Sequence, residues 1–163
     1  MAAVRAVVSA AFARPDSGDR PPVEVGLLDE LRVDEGWIPA LSLVATEPPI
    51  GEVVGHVVCT RATVDGAPVL GLGPLAVRPD RQRRGVGTAL MHAVVGAAEA
   101  LEEPLVALLG DPAYYGRFGF GPASEYGIAA PDPGWGVYFQ ARPLGAGPVP
   151  AGAFSYAAPF HGL

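Results

Sequence analysis

The chain has no lysine: all eleven of its basic residues are arginine, against seventeen acidic ones. The resulting charge of −6 excludes general nucleic-acid binding, which needs cations to neutralise phosphates. It suits a cationic small substrate, drawn in by the overall field. Absence of lysine beside plentiful Ala, Gly and Pro reflects coding bias and carries no function. Cysteine is nearly absent too. The single Cys59 excludes an internal disulfide and any multi-cysteine metal site, and within VVCTR it reads as a small buried hydrophobe. The three histidines are scattered, without metal-ligand spacing. No apolar run is long enough to span a bilayer, and no signal-peptide pattern opens the chain. These absences together are those expected of a soluble cytoplasmic protein without a membrane partner.

What remains is a chain of 163 residues that is half hydrophobic, enough for one core and read as a single domain over 1–163. Gly and Pro punctuate apolar segments, so they predict turns and not disorder. Ala2 to Phe12 places Val4, Val7, Val8 and Ala11 on one helical face. Val23 to Glu35 repeats the pattern through Val23, Leu27 and Leu31. ALSLVATE predicts a strand, with Glu47 to Glu52 as its turn and Val53 to Val64 as the returning strand of a hairpin. Val69 to Val77 predicts a third strand, in which Gly71, Gly73 and Pro74 forbid a regular ladder and imply a bulge or splay. The longest helix follows, with Val86, Leu90, Val94, Ala97 and Leu101 on one face. PLVALLG is a wholly apolar strand, as expected when both faces are covered. In DPAYYGRFGF, Asp111 is an N-cap and Pro112 a first helical residue. GVYFQAR and GAFSYAA close the chain as strands. That order predicts a mixed α/β sheet with helices on its faces.

The segment QRRGVG, Gln82 to Gly87, stands where the third strand hands over to the long helix. Such a helix start carries unpaired N–H groups and a positive dipole end. A diphosphate there would accept hydrogen bonds from the amides of Arg83, Arg84, Gly85, Val86, Gly87 and Thr88. Gly85 and Gly87 keep β-carbons away from phosphate oxygens or from the neighbouring strand, and Arg83 and Arg84 add charge at the rim. The segment is neither a P-loop nor a dinucleotide fingerprint, since the GK[ST] ending and GxGxxG spacing are missing. A tight surface turn with solvated arginines is the plain alternative.

Gln82, Gly85 and Gly87 after a strand resemble the acyl-CoA pyrophosphate signature Q/R-x-x-G-x-G/A of the GNAT N-acetyltransferase superfamily. Tyr115 to Phe120, YGRFGF, is similar to that family's Y-x-x-x-G-F segment, and both occur in order with the right elements between them. The resemblance covers roughly Ala40 to Phe120 and is strongest to a bacterial subgroup of small acetyltransferases. It implies a mixed, mostly antiparallel sheet whose central parallel pair splays at the acyl-CoA site. One departure stands out. Family members usually open with a strand, whereas here Met1 leads directly into a helix, so the first strand is either absent or lost with a misplaced start. A missing edge strand leaves backbone unpaired, which calls for compensation in the fold or for a second copy of the chain as a homodimer.

The resemblance further implies acetyl transfer from acetyl-CoA, without a metal, to an amine on a small molecule or peptide, by direct attack in a ternary complex. The pantetheine arm would lie between the third strand and PLVALLG, splayed beyond Val77, against the backbone of Leu75, Ala76 and Val77. An N–H near Leu75 would polarise the thioester carbonyl, and Tyr115 would protonate the departing thiolate, with Tyr114 the neighbour open to confusion. A lysine-like amine costs about 4–5 kcal/mol to deprotonate at neutral pH. The third strand has no carboxylate for that task. Glu35, Glu52 and His56 are the nearest groups in sequence, each better read as structural or solvated, so no base is assigned. A non-catalytic acyl-CoA-binding regulator is the alternative, as is an interaction module whose arginine turn holds an acidic segment.

Overall fold

The computed structural model describes residues 1–145 and 147–163. Two helices come first, α1 (Ala2–Phe12) and α2 (Val23–Val33). Val4, Val7 and Val8 of α1, spaced as predicted, pack with Val25 and Leu28 of α2, whereas the predicted Leu27 and Leu31 of α2 are buried in a separate cluster with Ala157. Val23, placed on that face by its spacing, is instead 62% exposed at the helix start. Helix α2 ends two residues before Glu35, because Asp34 turns extended and its carboxylate accepts the N–H of Gly36 at 2.7 Å.

Among the described residues eight strands form the sheet: β1 (Trp37–Glu47), β2 (Glu52–Val64), β3 (Ala67–Val77), β4 (Leu105–Leu109), β5 (Gly121–Pro122), β6 (Ile128–Ala129), β7 (Phe139–Pro143) and β8 (Gly152–Ser155). Their order is β5-β7-β4-β3-β2-β8-β6, and β1 shares the outer edge of β2 with β8. Most pairs are antiparallel; β3 and β4 are the central parallel pair, as the resemblance implies. Helix α3 (Val86–Ala100) covers one face, where Leu90, Met91, Val94 and Val95 meet Val57, Cys59, Leu72, Val106 and Leu108. Helices α1 and α2 cover the other, against Ala76. No strand precedes α1 among the described residues, and the edge of β1 turned away from β2 has no strand partner among them.

The boundaries depart from the sequence reading mainly at the ends. Strand β1 begins at Trp37, with a register irregularity between Trp37 and Ser42. Strand β7 begins at Phe139, since Gly136 to Tyr138 belong to a 3-10 segment, and β8 stops at Ser155. Glycine and proline between these short pieces favour turns over ladders. The bulge predicted in β3 is present: opposite β2, the register slips between Val57–Leu75 and Cys59–Leu72, beside Gly73 and Pro74.

Candidate active site

The connection from β3 to α3 is anchored before it is exposed. Arg78 pairs with Glu52 at 2.5 Å and with Asp80, while Arg81 pairs with Glu47 at 2.8 Å. These contacts staple Arg78 and Arg81 to the two residues that flank the turn of the β1–β2 hairpin, where Glu47 and Glu52 are cross-strand partners. Beyond the staples, Arg83 and Arg84 are exposed and, among the described residues, have no carboxylate partner. Arg83 (φ 61°) and Gly85 (φ 83°) take left-handed backbone, which turns the chain sharply into α3. A β-carbon on Gly85 would meet nothing within 4 Å, whereas one on Gly87 would lie 2.5 Å from the Tyr114 hydroxyl. Glycine is therefore needed at these two places for different reasons: backbone conformation at Gly85, close approach at Gly87. The Gln82 side-chain amide donates to the Val77 carbonyl at 3.2 Å.

Strands β3 and β4 pair only through Leu70–Val106 and Gly71–Ala107. The splay thus begins at Leu72, several residues earlier than the sequence reading placed it, because the bulge at Gly73–Pro74 swings the rest of β3 away. Arg78 donates its N–H to Val54 of β2 at 2.9 Å. Since strand groups alternate edges, the N–H groups of Val77 and Leu75 face the gap left by β4. Ala76 has the opposite parity, and its side chain is buried under α1 and α2.

Two cavities open from this gap. One, of about 290 Å³, is lined by Leu75, Val77, Gln82, Arg83, Gly87 and Tyr114. The second, of about 400 Å³, lies toward α1 and α2 and includes Leu75, Leu109, Tyr115 and Tyr156 in its wall. Leu75 belongs to both. The tyrosines come from α4 (Pro112–Tyr115), which Asp111 caps by accepting the Ala113 N–H at 2.9 Å. Their rings meet edge to face, centroids 4.9 Å apart, so consecutive residues serve different cavities. Burial, with Tyr114 close by, pushes the Tyr115 hydroxyl up to about 12; it is a phenol, not a phenolate, at neutral pH.

Residues 39–122 match the sequence profile of the Acetyltransferase (GNAT) domain. The chain belongs to the GNAT family. It is 40% identical over 115 residues to the uncharacterized N-acetyltransferase YjhQ of Escherichia coli K12, a match spanning 68% of this chain and 62% of YjhQ. The crystal structure of the GNAT family N-acetyltransferase YhbS from Escherichia coli in complex with CoA superposes with a TM-score of 0.81 at 29% identity, covering 96% of this chain and 86% of that one. A GNAT family acetyltransferase from Brucella melitensis in complex with acetyl-CoA gives 0.76 at 34% identity, covering 98% and 90%.

Within this GNAT chain, the residues singled out from sequence divide in two. Leu75, Val77, Gln82, Arg83 and Gly87 line one cleft. Val86 instead turns its side chain toward Gly55 and the core, leaving only its backbone for a ligand, as for Ala76. Thr88 is half-buried in the first turn of α3, and Arg84 and Gly85 are exposed. Of the groups weighed as bases, Glu52 is paired with Arg78, Glu35 is exposed, and His56 is buried. Burial, aided by the Arg32 charge, lowers His56 to about 4. Ser42 lies 3.2 Å from its Nε2. Cys59 is fully buried and its thiol is pushed up by that burial, which suits a packing role. Glu24, Trp135 and Phe160, which line the second cavity, were not visible in sequence. Each stands far along the chain from the others, in a segment whose local pattern signals only a helix or a turn.

Proposed function

We propose that the chain is one acetyltransferase domain that moves an acetyl group from acetyl-CoA to a primary amine by direct attack in a ternary complex. The observation that carries this reading is Leu75, the wall common to two cavities that open from one splayed strand pair. A two-substrate transfer needs both reactants to meet at one point, and a shared wall supplies it.

On the first side, the diphosphate of acetyl-CoA takes the amides from Arg83 to Thr88 at the positive end of α3, with Arg83 and Arg84 at the rim and Gln82 bracing the Val77 carbonyl. The pantetheine amides bond strand-fashion to the open edge of Leu75 and Val77, with Ala76 contributing backbone between them. The N–H at Leu75 then points at the thioester oxygen, one donor for the charge that develops there. The amine, having lost one proton to solvent, attacks the carbonyl carbon. The C–N bond forms, the C–S bond breaks, and the electron pair leaves on sulfur. Tyr115 delivers a proton to that thiolate and is restored by the proton shed from the new amide nitrogen. The products are an N-acetyl amide and free CoA.

The complexes of the YhbS and Brucella melitensis proteins with CoA and acetyl-CoA support the choice of donor. The test is turnover of acetyl-CoA with a panel of primary amines, followed by thiol release. Amine-dependent release of CoA is expected. Tight binding of acetyl-CoA without release for any amine would favour a non-catalytic acyl-CoA-binding regulator.

A further inference from the structure

The second cavity has a composition unlike the first. Phe12, Trp135, Tyr156 and Phe160 stand around it, with Tyr156 and Phe160 stacked at 4.5 Å and Trp135 at 6.5 Å from Tyr156. Into this aromatic surface a single acidic side chain is set, Glu24, in the first turn of α2. Among the described residues it has no cationic partner within salt-bridge distance. Beyond Phe12 and Glu24 an adjoining groove carries Arg14, Asp16 and Arg20.

We propose that this cavity selects a small monoamine bearing an aromatic or bulky apolar group, with Glu24 holding its ammonium; this rests on the acetyl-transfer reading above. The volume, about 400 Å³, lies in the range of small-ligand sites, where an apolar lining takes the body of the ligand and a few polar groups orient it. One carboxylate compensates one ammonium. A second ammonium on the same molecule would reach the adjoining groove, where Arg14 and Arg20 outnumber Asp16, and a charge held there without a free partner is costly. Polyamines and aminoglycosides are thereby disfavoured. Leu75 and Tyr115 in the same wall put the amine that Glu24 gathers beside the site of transfer. A carboxylate is too weak a base to deprotonate an alkylammonium fully, so Glu24 is a specificity residue and not a general base.

The experiment is calorimetric titration of 2-phenylethylamine and of spermidine into the CoA-bound protein, wild type and Glu24→Gln, with acetyl-CoA affinity measured in parallel. 2-Phenylethylamine is expected to bind at least tenfold more tightly than spermidine. Glu24→Gln should weaken it about tenfold or more, the scale of a lost charge-assisted hydrogen bond, and leave acetyl-CoA affinity within about twofold. Equal or tighter binding of spermidine, or unchanged 2-phenylethylamine binding in Glu24→Gln, overturns the proposal even if other amines are acetylated. Failure to bind acetyl-CoA would instead overturn the acetyl-transfer reading, and the amine titrations on the protein alone still decide the cavity.

Discussion

The hydroxyl of Tyr114 stands over Gly87, so close that a β-carbon there would lie 2.5 Å from the oxygen. Gly87→Ala therefore forces the tyrosine into the cleft it lines. Acetyl-CoA affinity should fall about tenfold, the scale of one lost hydrogen bond to a charged group. Tyr114→Phe removes the colliding atom, so the double variant should recover much of the loss. A double-mutant cycle of binding titrations reads this coupling, and additive effects would contradict it.

Arg83 and Arg84 are exposed and Arg78 and Arg81 are already engaged, so the two pairs should behave differently. Replacing Arg83 or Arg84 by Ala should weaken acetyl-CoA a few-fold, and less at high salt, where exposed charges are screened. Titrations at two ionic strengths check this. A large loss that ignores salt would mean that the arginine makes a buried contact.

For Tyr115 the expected signature is kinetic. Tyr115→Phe keeps the ring against Gly110 and deletes only the hydroxyl. Turnover should fall about 10²-fold, the low end for general acid catalysis, while acetyl-CoA affinity stays put. Because the hydroxyl is held protonated up to about 12, the wild-type rate should show no loss from tyrosine ionisation below about pH 10. A fall in affinity with unchanged turnover would make Tyr115 a binding residue.

His56 links stability to acid. Its folded value, about 4, lies below the ordinary 6.5, so the unfolded chain takes up the proton first. The stabilising contribution is complete above pH 6.5 and is lost as pH falls toward 4, at a slope of up to about 1.4 kcal/mol per pH unit. Chemical denaturation of wild type and His56→Gln between pH 7 and 4 measures it. The variant should lose less stability over that range.

The sequence disclosed most where a local rule governs structure. Helix α1 and the capped α4 follow from apolar spacing and from Asp-Pro, and the bulge in β3 follows from Gly73 and Pro74. The sharp turn into α3 was legible in outline because the left-handed backbone at Gly85 leaves glycine few substitutes. Long-range placement was not legible. That Tyr114 and Tyr115 would face separate cavities depends on how the ten or so residues around Gly110 pack against β3 and α3. That Glu24 would join Trp135 and Phe160 depends on α2 crossing the sheet near the bulge. Local patterns also misjudged Val23, whose apolar character suits the face but whose place at the helix start leaves it in solvent.

The splayed pair has a kinetic corollary. Helix α3 flanks one mouth of the gap and helices α1 and α2 flank the other, so the two cavities that share Leu75 open on opposite faces of the sheet. A reactant seated on one side leaves the opposite doorway clear. On the proposed acetyl transfer, neither order of arrival would be sterically obligatory, and the acetylated amine and CoA would depart by separate exits, without one having to wait for the other.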